Sequence, residues 1–206
     1  NALSLIQFLS DRDWQAAEKS LQKAIEVDPN NANAFLRYGY FLINVGEFDK
    51  ALIKLEKARE LNPLSPIVQS NIGLAYLCAR RYPQAIEQLE KVTAENPEFP
   101  MSYWFLGAVY EGTGEMEKSF AANLKGMEAE GGKDLAKRLR SVKDTKGLTA
   151  ANQLWLEELL NERKNGYVSA LQIASLSAVL NNRQQTLEWL EKAVEEGERT
   201  ISVIKF

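Results

Sequence analysis

Pro29, Pro63 and Pro97 stand 34 residues apart, and each follows an Asp or Asn, as Asp28, Asn62 and Asn96. A fixed period of this length points to a repeated supersecondary unit, because each unit can bury its apolar face only by stacking on a neighbour. Pro66 and Pro100 repeat the same interval. They and Pro83 fall where helices begin, in a first turn whose N–H has no helical acceptor to lose. No proline interrupts an apolar-periodic run.

Between the prolines, apolar residues recur at helical spacing, as in Phe48, Ala51, Leu52, Leu55 and Ala58. Each unit holds two such runs separated by a short turn, for example Asn44-Val45-Gly46-Glu47 and Gly112-Thr113-Gly114-Glu115. Strand-like alternation is nearly absent before residue 200, so the expected fold class is all-α with two helices per unit.

Composition then removes whole classes of function. The chain has 206 residues, 45% hydrophobic and 26% charged, as in soluble globular proteins. Its net charge of -3 lacks the basic footprint of a nucleic-acid reader. No apolar run approaches the roughly 20 residues that cross a bilayer. Histidine is absent, which removes the usual general base, the usual zinc ligand and every Ser-His or Cys-His pairing. The single cysteine, Cys78, has no disulfide partner and reads as a small packing residue. No catalytic residue, cofactor or metal site is expected, and the expected compartment is the cytoplasm, with the periplasm as the alternative.

The repeats resemble the tetratricopeptide (TPR) family. The first helix of that pattern carries a bulky residue, Leu, Gly or Ala, and Tyr; the second carries Ala, an aromatic or Leu, Ala and Pro. Phe35, Tyr38, Gly39, Leu42, Ala51, Leu55, Ala58 and Pro63 match in one unit. Ile72, Gly73, Tyr76, Ala85, Leu89, Val92 and Pro97 match in the next, with Gln69 departing at the bulky position. An earlier unit keeps Phe8, Ala17, Leu21, Ala24 and Pro29. A later one keeps Tyr103, Leu106, Gly107 and Tyr110 but has Ser119, Asn123, Gly126 and Gly131 where Ala, aromatic, Ala and Pro belong. The resemblance implies a right-handed α-α superhelix of about six units: 1–31, 32–65, 66–99, 100–133, and degenerate units 134–166 and 167–200, with a tail 201–206. It implies a single domain in which Gly39, Gly73, Gly107, Ala51 and Ala85 let helices approach closely.

Four phrases resemble a narrower group: Leu61-Asn62-Pro63-Leu64-Ser65-Pro66, Arg80-Arg81-Tyr82, Gly166-Tyr167-Val168-Ser169 and Glu188-Trp189-Leu190-Glu191-Lys192-Ala193. They are similar to the C-terminal repeat regions of bacterial regulators in which a winged-helix, kinase or cyclase domain comes first. The first unit begins inside its first helix and the tail Thr200–Phe206 ends on apolar residues without a polar cap, so a chain continuing at both ends is expected.

In the family the first helices line a concave face at positions 2, 5, 9, 12 and 13 of each unit. Carried over, this places Leu36, Tyr40, Ile43 and Asn44, then Ile67, Ser70, Leu74, Leu77 and Cys78, then Met101, Trp104, Ala108 and Glu111 in a candidate groove. The family's basic clamp for a terminal carboxylate is missing, since its positions read Ala2, Ile6, Leu36, Tyr40, Ser70, Leu74, Trp104 and Ala108. So apolar a lining suits an apolar or amphipathic protein segment. Two alternatives stay open: these side chains pack against neighbouring helices, or the chain's own C-terminal part covers them. Burying Tyr40, Leu74 and Trp104 yields roughly 2 kcal/mol each, against an association cost of about 4 to 15 kcal/mol, so the expected partner binds weakly. Self-association, or a regulatory role in a larger signalling or transcription-regulating protein, is the other expectation.

Three further features carry the bland reading. Lys133 to Lys146 has six basic and two acidic residues, with Leu135, Ala136 and Leu139 as the buried stripe of a solvated helix. Gly126, Gly131, Gly132 and Lys133 fail the phosphate-loop spacing, because Gly132 stands where Lys is required. Glu87, Glu90 and Glu95 are spaced as helix surface.

Overall fold

The computed structural model describes residues 14–198, and among these there are eleven helices and no strand. They are α1 (Trp14–Val27), α2 (Ala32–Asn44), α3 (Phe48–Leu61), α4 (Pro66–Cys78), α5 (Tyr82–Glu95), α6 (Pro100–Gly112), α7 (Met116–Ala129), α8 (Lys133–Lys146), α9 (Leu148–Asn165), α10 (Ala170–Val179) and α11 (Arg183–Glu195). Residues that sequence places in the opening helix, Ala2, Ile6 and Phe8, and the tail from Thr200 lie outside the described residues.

Local chemistry accounts for the helix limits. Pro66, Pro83 and Pro100 occupy first-turn positions of α4, α5 and α6. Asn31 Oδ1 accepts the amide of Ala34 at 3.1 Å, capping α2. Each first helix ends with a left-handed residue at the same place in the period: Gly46 (φ 82), Arg80 (φ 57) and Gly114 (φ 79). The amides of Glu47, Arg81 and Glu115 then reach back to Leu42, Tyr76 and Tyr110, the six-to-one closure that satisfies a terminal carbonyl and turns the chain into the second helix. Arg80 adopts this conformation without glycine's freedom.

Within each pair, small residues bring the helices together. A Cβ added at Gly39 would lie 2.5 Å from Leu55 Cγ, and one at Gly73 would lie 2.5 Å from Leu89 Cγ. Leu55, Leu89, Ala51, Ala58, Ala85 and Val92 are completely buried. At Gly107 the facing residue is Asn123, so the third pair keeps the close approach with a polar partner. Between pairs, Tyr38 donates to Glu18 Oε1 (2.8 Å) and Tyr110 to Glu90 Oε1 (2.7 Å), each tying a first helix to the second helix 20 residues before it. Burial and the adjacent carboxylates push both phenols up, so both stay protonated donors through the neutral range.

Contacts divide the chain into two compact units, one ending at Ala129 and one beginning at Glu130. The junction is Glu130-Gly131-Gly132, without the Asp-Pro or Asn-Pro of earlier junctions, and α8 beyond it buries only Ala136 and Leu139. The first unit contains α1 to α7. Its first helices α2, α4 and α6 lie side by side, α4 touching both α2 and α6 as well as α3 and α5.

The second unit contains α8 to α11. Its core is formed by Leu139, Trp155, Leu156, Leu159, Ile173, Ala174, Leu176 and Ala193. A polar clasp closes it. The Glu198 carboxylate accepts from Ser169 Oγ (2.6 Å), from the amides of Ala170 (2.6 Å) and Leu171 (3.1 Å), and from Tyr167 OH (3.2 Å). Beside it Arg163 donates to the carbonyl of Val168 and to Glu196, and its guanidinium lies 4.8 Å from the Trp189 ring centre. Lys192 sits 4.1 Å from the same ring. Among the described residues no helix is long and apolar enough to cross a membrane.

Candidate protein-interaction groove

On α2, α4 and α6 the same two repeat positions face one cavity in the first unit. Asn33, Ile67 and Met101 form one row and Arg37, Asn71 and Phe105 a second, each member 34 residues from the next. The rows are one helical turn apart, so each helix presents an i, i+4 pair. Leu36, Tyr40 and Phe41 of α2 and Leu21 of α1 complete the lining described, around a volume of about 360 Å³. Tyr40 is 37% exposed and Ile67 39%, large apolar surface at the mouth of the cavity.

Few polar groups interrupt this lining. Asn71 is buried and spends its amide on the carbonyl of Ile67 at 2.8 Å. Arg37 donates through Nε to Asn33 Oδ1 at 3.4 Å. It is the one charged side chain among the described residues lining the cavity, and no carboxylate lines it there.

Of the groove residues expected from sequence, the cavity brings together Leu36, Tyr40, Ile67 and Met101. Leu74, Leu77, Trp104, Ala108 and Glu111 are half-buried and do not line it. Leu77 packs on the core of Ala85, Leu89, Leu106 and Val109, and Trp104 lies against Gly126, where an added Cβ would fall 3.0 Å from its Cε2. Glu111 Oε1 accepts the Ser119 hydroxyl at 3.1 Å.

Three expected positions are corrected. Ile43 is 1% exposed, Asn44 5% and Ser70 0%, so none offers surface to a partner. For Ser70 the reason is that α4 has helices on four sides and is buried nearly round its circumference, at Val68, Gln69, Ser70, Asn71, Ile72, Gly73 and Ala75. Ile43 and Asn44 lie in the last turn of α2, where consecutive residues from Phe41 onward are all buried, and Asn44 donates to the carbonyl of Tyr40 at 2.7 Å.

Sequence reasoning passed over Asn33, Arg37, Asn71 and Phe105. The signal available was the 34-residue offset itself, which links Arg37 to Asn71 and Phe105 although their chemistry differs.

Ser70 Oγ has no hydrogen-bond partner despite full burial. Ser70→Ala is therefore expected to raise stability by about 1 kcal/mol, because it removes a desolvated hydroxyl and adds helix propensity. The urea midpoint measures this, and a drop would show that the hydroxyl is bonded in solution.

The remaining candidates have the following surroundings. Burial pushes the Cys78 thiol up to about 11, leaving little thiolate at neutral pH. The basic segment is α8, where Arg138 pairs with Glu158 at 2.7 Å. Glu90 is occupied by Tyr110, and Gly132 precedes α8 with no strand before it.

Comparison with known proteins identifies the repeats. Residues 8–71 and 70–129 each match a family model described as tetratricopeptide repeat. Among solved structures, PilW, described as a widely conserved type IV pilus biogenesis factor, is similar at 20% identity with a TM-score of 0.62, over 93% of this chain and 89% of that one. A MamA fragment from Desulfovibrio magneticus RS-1 is similar at 18% identity and a TM-score of 0.53, over 94% and 90%. A further MamA crystal structure is similar at 21% and 0.52, over 93% of each. At these identities the likeness is one of fold: an all-α repeat solenoid.

Proposed function

The chain belongs to the tetratricopeptide-repeat family through residues 8–129, and we propose that it is a non-catalytic scaffold holding a segment of another protein in the cavity of α2, α4 and α6. The observation that carries this reading is the convergence of two repeat positions from three successive units on one open, largely apolar cavity with Tyr40 and Ile67 at its mouth. Packing alone does not call for such exposure, whereas an aromatic anchor beside aliphatic side chains is what apolar peptide segments use.

The test compares partners captured by the full chain with those captured by Tyr40→Ala/Met101→Ala. Each truncation removes apolar contact and leaves the buried pairs Gly39–Leu55 and Gly73–Leu89 untouched. Capture of cavity-bound partners is expected to fall at least about tenfold, equivalent to about 1.4 kcal/mol, with the helical circular dichroism unchanged. Undiminished capture would remove the groove from consideration.

A second reading is a regulatory or self-association segment of a larger signalling or transcription-regulating protein. It is supported by the phrases Arg80-Arg81-Tyr82 and Gly166-Tyr167-Val168-Ser169 and by a separate compact unit from Glu130 onward. A winged-helix, kinase or cyclase domain in the same polypeptide would favour it; a monomeric full-length protein without one would count against it.

A further inference from the structure

We infer that the segment bound in this cavity is extended, carries one carboxylate seated on Arg37 of α2, and directs its apolar side chains toward Met101 and Phe105 of α6. The inference rests on the groove reading above and adds the chemistry and direction of the occupant.

Two observations lead to it. First, the two rows change character along the unit. At the α2 end they read Asn33 and Arg37, at α4 Ile67 and Asn71, and at α6 Met101 and Phe105, so within these two rows polarity falls toward α6, while Leu36, Tyr40 and Phe41 add apolar surface at the α2 end. Second, Arg37 is half-buried and its only bond to a described residue uses Nε, which leaves the terminal guanidinium nitrogens as donors. A segment that fills the cavity strips water from this guanidinium. No carboxylate is among the described lining residues, and a carboxylate on the occupant would supply the counter-charge that keeps Arg37 from being buried uncompensated. Asn33 Oδ1 is already used by Arg37, so the Asn33 NH2 group adds a second donor at the same end.

The span of the cavity suits a short extended chain. From α2 to α6 is two interhelix spacings, about 16–20 Å at 8–10 Å each. That span is covered by about five or six extended residues at ~3.3 Å per residue. Basic segments are disfavoured by Arg37 itself, and nucleic acid by a lining that offers one cation and no cluster.

The experiment selects a displayed library of random seven-residue peptides on the full chain, on Arg37→Glu and on Tyr40→Ala. The expected result is enrichment of Asp or Glu four to six residues from a large apolar residue. Arg37→Glu should replace the acidic preference with Lys or Arg, and Tyr40→Ala should abolish enrichment. The most enriched peptide, labelled with fluorescein, should bind Arg37→Ala at least about tenfold more weakly than the unaltered chain. Equal loss in Arg37→Lys and Arg37→Ala would support bidentate pairing over simple charge. Apolar enrichment without acidic preference, insensitive to Arg37 but lost in Tyr40→Ala, would overturn this inference while leaving the groove intact. No enrichment on the unaltered chain would overturn both.

Discussion

Gly73→Ala is expected to destabilise the first unit by about 1–3 kcal/mol even though alanine is the better helix former. The added methyl would lie 2.5 Å from Leu89 Cγ and 2.6 Å from its Cδ2. Cγ is the branch point of a completely buried side chain, so relief requires α4 and α5 to move apart and cannot come from a terminal rotation alone. Leu89→Ala by itself should cost about 2–5 kcal/mol through lost burial and a residual cavity. In the double variant the new methyl enters the space that Leu89 vacates. Its loss should fall short of the sum of the single losses by roughly 1–3 kcal/mol, the signature of direct contact. Urea denaturation of the four proteins measures the cycle. Strict additivity would show that the close approach at Gly73 is not what sets the spacing of the pair.

The second unit should respond to acid through Glu198. Partial burial pushes its carboxyl up, but donors from Ser169, Leu171, Ala170 and Tyr167 outweigh that and hold it below the usual carboxylate range. A lowered folded value means the clasp contributes fully above the ordinary carboxylate range and is lost as pH falls through the folded value. At pH 7, Glu198→Gln is expected to cost about 1–2 kcal/mol, toward the low end because solvent reaches the carboxylate. Below the folded value the two proteins should become equally stable. Hydrogen exchange at the amides of Ala170 and Leu171 reports this locally: faster exchange in Glu198→Gln at pH 7, and matching protection in acid once intrinsic rates are removed. A stability gap that persists in acid would assign the effect to packing instead of charge.

Much of the first unit was legible without coordinates. The interval of 34 residues, the first-turn prolines and the alternation of small and large residues follow from local chemistry repeated, and each determines a helix limit or a helix pair. Gly39, Gly73 and Gly107 could be read as close-approach positions because a glycine inside a helical pattern needs a packing reason. The clasp was not legible: Glu198 lies 29 residues from Ser169, in a unit whose consensus is weak, and no periodicity links them. The division at Ala129 was likewise hidden, because Gly131 and Gly132 are ordinary turn residues in sequence.

The groove marks the same boundary. Sequence by itself determined which residues share a face of each first helix, since that depends only on 3.6 residues per turn. Which faces stay open was decided by tertiary structure. α4 meets α2, α3, α5 and α6, and burial at Ser70 is the sum of contacts contributed by segments far apart in the chain. The same summation leaves Tyr40 and Ile67 at the mouth of the cavity and sets Arg37 beside them, an arrangement that one helix's periodicity does not contain because exposure belongs to the assembly of helices.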